Sequence, residues 1–441
     1  MVAKAETAAA RAGIDWSSLW KKEDWWAVWV GFAILIIGVV GILPRLPAID
    51  KWTVFGRGFS AGVGTLWTVL GLFAFSLALT LIASAFLKAN LRRYVAGFSA
   101  VFGLAMIATW VAKYTPFSKY GLEVVLWALV LGLLISNVVR VPAWLKAGAQ
   151  TEFFVKVGLV LLGAETLFST IIKGGAFGMA QAVLVVVAVW FVAYWIARRL
   201  GLAKDFSSVM ASGVSICGVS AAIAAGGAIK GDQKQVSHVI SLVLLLAMPM
   251  LVVMPIVAHA LGMGPAFAGA WMGGTIDTTG AVVAAGTLVD PKVGLQVASL
   301  TKMSQNVLIG VAAFLLAGWA AFSLRRDTGA DRPRAADIWF RFPKFIIGFV
   351  LASIFFSLVV EPSLGATKTS SVIALTSGYR NLFFALAFVS IGLDTRFRDL
   401  VAVGKGRPLL AFVSAQAFNI LWTLLIAWLL WSGTLFAAPI K

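Results

Sequence analysis

The chain has 441 residues, 61% of them hydrophobic and only 12% charged, with 36 Lys and Arg against 18 Asp and Glu and a formal net charge of +18. Its mean hydropathy is +0.95, and a soluble domain, in which about 25% of residues are charged, is excluded. The basic residues fall in short loops between apolar runs, which is an orientation signal rather than a nucleic-acid-binding face.

Apolar runs near the ~20 residues that cross a bilayer recur along the chain. They are too long and continuous for barrel strands, so the fold class is an all-α polytopic membrane protein. The single cysteine, Cys217, excludes an internal disulfide framework and any multi-cysteine metal site. In chain order, the first 24 residues are polar, with Trp16, Trp20, Trp25 and Trp26 around Lys21-Lys22-Glu23-Asp24. They read as an interfacial segment, not a cleavable signal peptide. Thirteen spans follow, at about 25–44, 61–87, 94–112, 120–138, 151–172, 176–199, 207–229, 236–262, 264–289, 291–324, 338–360, 370–394 and 407–433.

With the N-terminus inside, the inner segments hold 22 Lys and Arg, the outer ones 11, and Lys156, Lys302 and Arg380 lie within spans. That bias predicts N-in and C-out. A re-entrant hairpin within 207–289 would change the parity and put the count at 11 to 13 helices.

Two internal similarities stand out. LLGAETLF (161–168) and SIGLDTRF (390–397) share Gly-x-acid-Thr-x-Phe at span ends that the charge bias puts on opposite sides. Opposed copies are the mark of an inverted repeat. SICGVSAAIAAG (215–226) matches TIDTTGAVVAAG (275–286), although small-residue helices resemble one another easily. The order of the four segments is not that of a simple tandem.

In the second pair, Gly, Ser and Thr precede an Ala-rich run, a composition that tolerates unwinding at depth. Each continuing half-helix would expose unpaired N–H groups and the positive end of its dipole, an anion site. The expectation is two broken helices crossing at the midplane, with Ser215, Cys217, Gly218, Thr275, Thr278 and Thr279 lining a cradle. Asp277, a carboxylate at membrane depth, marks a functional site; it would bind a coupling ion, H⁺ or Na⁺, or else serve as a cap or as the partner of Lys302.

Lys302 would neutralise Asp277 or attract an anionic substrate, or else snorkel to an interface. Gln305 and Asn306 offer oxygens to the ion, or act as interhelical glue. Arg380-Asn381 could face a cavity or anchor an acid, whereas Glu165 and Asp394 read as structural. His238 and His259 fall near the ends of one span and make no metal site. No nucleotide-binding or hydrolase motif stands in its required context, so neither ATP nor catalysis is indicated.

SGVSICGVSAA (212–222), TIDTTGAVVAAG (275–286), VASLTKM (297–303) and FPKFIIGF (342–349), with FVKVGLVLLG (154–163) and SIGLDTRF followed by GRPLL (406–410), resemble the successive motifs of the YeiH-like family, UPF0324-type membrane transporters labelled sulfate exporters. The resemblance covers roughly residues 120–433. It implies a bacterial inner-membrane, multi-pass secondary carrier, kin to the cation/proton antiporters and anion transporters that use inverted repeats and an elevator movement. The pattern departs where that family has His-Glu in place of Asp277-Thr278, Gln in place of Ala281 and Arg in place of Gln305.

The reading is therefore a secondary transporter of a small anion, with sulfate, sulfite or an organic sulfonate foremost. Its rivals are a Na⁺/H⁺ antiporter-like exchanger and a membrane subunit of a sodium-pumping decarboxylase. Residues 25–119 would be scaffold and 120–441 the transporter domain, with core segments about 151–229 and 264–324. The partners expected are the solute, lipid and a second copy in a homodimer; no cofactor is expected beyond the coupling ion.

Overall fold

The structure is a computed structural model and describes residues 17–53, 63–119, 124–166, 168–229, 231–323, 339–340, 342–396, 398, 406–436 and 440. Trp16 and the segment before it lie outside the described residues. Among the described residues the secondary structure is helical apart from an isolated bridge between Trp52 and Tyr114.

The helices are α1 (Glu23–Val40), α2 (Val63–Phe86), α3 (Leu91–Ala112), α4 (Val124–Val138), α5 (Thr151–Glu165), α6 (Phe168–Arg199), α7 (Lys204–Ser212), α8 (Val219–Ala228), α9 (Gln233–Ala260), α10 (Pro265–Thr275), α11 (Thr279–Val289), α12 (Val293–Ser323), α13 (Lys344–Phe355), α14 (Ala366–Asp394) and α15 (Arg407–Trp431). Their ends carry ordinary stop and start chemistry. Asn90 accepts from the Arg93 N–H, Asp232 from Lys234, and Asp290 from Lys292, Val293 and Gly294 at the start of α12. Among the described residues ten helices are long and apolar enough to cross a membrane, and α4, at 15 residues, is a shorter apolar helix beside them.

Two segments do not run through. A π-helical turn, Gly213–Cys217, extends α7 to Gly218, where the chain reverses into α8. Ser212 before the turn and Ala225 after it line one small cleft with Ala312, Ala313 and Leu316 of α12, so α8 has returned to the level of α7. The second segment does the same around Ile276–Thr278. Gly269 of α10 and Gly286 of α11 both close on Gly294 of α12, and His259, ending α9, reaches Leu288 O at 3.3 Å.

Each interrupted segment is thus a helical hairpin, not a broken helix that continues across. The first enters from the end of the bundle that holds the α6–α7 join, the second from the opposite end, where α9 meets α10. The loop from α8 to α9, with Lys234, accordingly moves to the inner tally, and the charge bias grows. Counting α4 with the ten long helices, and with two segments folded back, the start of α1 and the end of α15 lie at opposite ends of the bundle.

The opposed repeat is visible in the packing. Arg380 Nη1 lies 2.7 Å from Glu165 Oε2, and Thr151 Oγ1 donates to Asp394 Oδ2 at 3.2 Å, so α5 and α14 run antiparallel. At each end the Thr of Gly-x-acid-Thr is held alike. Ser353 on α13 donates to Thr166 O, and Ser136 on α4 donates to Thr395 O at 2.7 Å. Gly163 and Gly392 sit against neighbouring backbone at Phe349 and Leu129, with no room for a Cβ.

The four similar segments now form one scheme. The first copy is α4, α5, α6, hairpin, α9; the second is α13, α14, α15, with its hairpin and α12 placed ahead of them in the chain. The second copy is circularly permuted, and for that reason no tandem order could be read.

Two apolar clusters hold most of the helices. α6, α7, α8, α9, α12 and α15 meet in one that includes Val185, Met210, Val239, Leu316 and Phe412. α1 to α5, α13 and α14 form a second group around a larger cluster, which runs on into α9, α10, α11, α12 and α15 through Leu251, Trp271, Val282, Leu295 and Trp431. Of the expected core segment 151–229, residues 151–165 sit with the second group, because α5 packs along α14 and α13.

Candidate functional site

The site is built where the two hairpin tips meet. A Cβ placed on Gly218 would lie 3.1 Å from the Asp277 carbonyl oxygen and 3.3 Å from the Asp277 Cβ. Gly218 has φ +53°, a backbone that glycine alone adopts without strain. The tips approach closely because one of them has no side chain at the point of contact.

Lys302, only 1% exposed, reaches between the tips from α12. Its Nζ donates to Ile216 O at 2.5 Å, Ile276 O at 2.8 Å and Gln305 Oε1 at 3.1 Å. Ile216 and Ile276 end the first limb of each hairpin, so the ammonium sits on two helix C-termini, the negative ends of their dipoles. The leading N–H groups of α8 and α11, the positive ends, have no intrahelical acceptor. From α15, Asn419 Nδ2 donates to Val214 O and Thr275 O, both at 3.2 Å, and Gln416 Nε2 donates to Thr275 O at 2.9 Å. From α6, Gln181 Nε2 donates to Ala270 O at 2.8 Å. The tips are clamped on their carbonyl side.

The expected cradle residues divide. Thr278 Oγ1 accepts from the Ala281 N–H at 3.3 Å and caps α11. Cys217, which corresponds to Asp277 in the matched tips, lies within reach of the Ala221 N–H and the Ser220 side chain at the start of α8. Thr279 Oγ1 accepts from Asn306 Nδ2 at 3.3 Å. Thr275, at the end of α10, donates its hydroxyl proton back to Trp271 O at 2.6 Å.

Lys302 is engaged mainly with backbone. It spends its protons on carbonyls, and it makes no ion pair with Asp277, although it lies close enough to act on it electrostatically. Gln305 is likewise engaged, accepting from Lys302 and donating to Gly274 O at 2.9 Å.

Among the buried oxygens of this region that have no partner are Ser215 Oγ, Asp277 Oδ2 and Asn306 Oδ1 near the tips and Gln181 Oε1 and Gln416 Oε1 on the clamping amides. An unmet carboxylate oxygen at 1% exposure is costly unless a proton, a cation or a polar ligand meets it. Among the described residues no cluster of three or more His, Cys, Asp or Glu could hold a metal. Arg380 anchors Glu165 and also touches Asn381 Oδ1 at 3.0 Å, away from the tips.

Several residues of the site went unread in the sequence. Gln416 and Asn419 look like generic membrane amides until their acceptors are known. Ser220, exposed at the start of α8, lies in the matched segment but was not singled out. Glu152, exposed on α5, lies near enough to Cys217 to act on it electrostatically. Only the fold brings it there.

Comparison with known proteins agrees on kind. A family model described as conserved hypothetical protein 698 matches residues 96–411. The chain is 39% identical over 393 residues to a UPF0324 membrane protein of Rhodopirellula baltica, covering 88% of this chain and 72% of that one. It is 39% identical over 355 residues to one of Nitratidesulfovibrio vulgaris, spanning 78% of this chain and 61% of the relative. With one of Nitrosomonas europaea it shares 30% over 474 residues, covering 92% and 96%. No solved structure matches the chain.

Proposed function

This chain belongs to the UPF0324 membrane protein family, and we propose that it is a secondary active transporter of a small anion, with sulfate, sulfite or an organic sulfonate as the substrate class. The observation that carries the reading is the sorting of dipoles by Lys302. The ammonium takes the carbonyl ends of both first limbs, so the field left at the tips is that of two helix N-termini. Val219, Ser220, Thr279 and Gly280 would offer N–H groups, helped by the Ser220 and Thr279 hydroxyls. Cys217 and Thr278 would keep the two limbs capped.

Asp277 would carry the coupling ion. A carboxylate beside an anion is repulsive unless protonated or bound to a cation, so solute and ion would enter together. Ser215 and Asn306, each with an unmet oxygen, would complete a site for Na⁺; for H⁺ the carboxylate suffices. The helix group with α6, α12 and α15 would move as an elevator against the group with α5 and α14. The membrane would be the bacterial inner one, with the basic face in the cytoplasm.

Counter-flow in proteoliposomes tests this with sulfate, sulfite, sulfonates and carboxylates, with and without Na⁺ and a pH gradient. The expected result is exchange of a tetrahedral oxyanion or sulfonate that depends on one of the two ions. Na⁺/H⁺ exchange with no anion dependence would instead establish the rival cation exchanger, which the same unmet oxygens favour.

A further inference from the structure

The two hairpins are treated unequally. At the second tip, a Cβ on Gly280 would lie 3.0 Å from Ile391 Cδ1 and 3.5 Å from Val155 Cγ2, so α11 is seated on the crossing of α5 and α14. Its apolar residues Val282 and Val283 join the cluster of those helices. The first tip has no such seat. Ser220, Ile223 and Gly227 form an exposed stripe on α8, and Ile223 is 56% exposed. The buried face of α8 packs on α7, α9 and α12, with Ala222 and Ala225 in one apolar cluster and Ala221 in another.

The repeat says where the missing seat is. Gly163, Glu165 and Thr166 correspond to Gly392, Asp394 and Thr395, and Ser220 corresponds to Gly280 in the matched tips. Applied to the seat of Gly280, the same operation turns Ile391 into Leu162 and Val155 into Phe384. We propose that the exposed stripe of α8, led by Ser220, is a docking surface for the Leu162–Phe384 end of the α5–α14 crossing, and that the transport cycle exchanges one hairpin's seat for the other's.

This rests on the transporter reading and specifies its moving contact. Leu162 and Phe384 are themselves buried now, in the cluster that includes α11, so one hairpin slides off as the other slides on. Val155 and Leu162 are separated by about 10 Å along α5, which sets the size of the step. On this proposal the present structure is the state in which the second hairpin is seated and the first is not. In the other state the same operation carries Asp277 from its present place to Asn381, next to Arg380.

Paired cysteines in the full chain, in lipid vesicles, test the exchange, with disulfides read by peptide mass spectrometry after oxidation. Gly280→Cys with Ile391→Cys reports the seat seen here. Ser220→Cys with Leu162→Cys, and separately with Phe384→Cys, reports the proposed one. The expected result is bonding in the Ser220 pairs roughly ten-fold above that of Ser220→Cys with the outward-facing Leu358→Cys, rising when sulfate is present on one side only.

If the Gly280 pair bonds and neither Ser220 pair does, while wild-type counter-flow of an anion persists, the seat exchange is wrong and the transport reading stands. If the Ser220 pairs bond but no anion shows counter-flow, the exchange stands and the anion reading falls.

Discussion

The Lys302 ammonium has three protons and three acceptors, which leaves none for a solute. A Lys302→Met variant strands two carbonyls and the Gln305 amide, each at a cost of about 1–3 kcal/mol. It also returns the negative ends of two helices to the site. The expected outcome is a large drop in the unfolding temperature in detergent and loss of stabilisation by sulfate; an unchanged sulfate response would remove Lys302 from its sorting role. Asp277→Asn separates the two ligands differently. The amide keeps the shape and abolishes the charge, so counter-flow should persist at a rate no longer sensitive to Na⁺ or pH, whereas retained ion dependence moves the coupling site elsewhere. Asp277 and Lys302 were both legible in the sequence, because a charge at membrane depth stands out against 12% charged residues. Their partners were not, since backbone carbonyls carry no sequence signature, and the natural guess joins a buried acid to a buried base. The same blindness hid Asn419, whose amide bridges Val214 O and Thr275 O.

Among the elements, the span positions survive and the folding back of two of them is new. A limb that stops halfway has the same composition as one that crosses, and only parity or a contact distinguishes the two. SICGVSAAIAAG and TIDTTGAVVAAG were read as unwinding sites, and the chain does leave the helix at Gly218 and at Ile276–Thr278. What could not be read was the direction taken afterwards. Thr166 and Thr395 were placed at opposite ends from the charge bias, and the antiparallel packing of α5 on α14 agrees. The two copies invite a paired measurement. Ser136→Ala and Ser353→Ala each remove a hydroxyl from an equivalent carbonyl, and each should cost about 1 kcal/mol. Thermal unfolding curves that differ widely between them would show the two ends to be unequal in energy despite their shared geometry.

For the molecule as a whole, the hairpins change which loops face which side. The α8–α9 loop joins the basic face, so Lys234→Cys should react with an impermeant maleimide from the same side as Lys88→Cys. Under thirteen through-running spans it would react from the other. The permutation has a mechanical consequence. The two helix groups are joined by the chain at three places: α5 to α6, α12 to α13, and α14 to α15. The last two joins span many residues on the basic face, while Thr166 and Phe168 on the far face are a single residue apart. That short join is tied down twice, by Ser353 to the Thr166 carbonyl and by Ser357 Oγ to the Phe168 N–H at 3.1 Å. The displacement proposed above would therefore be smallest at this corner and grow away from it, like the swing of a door from its post.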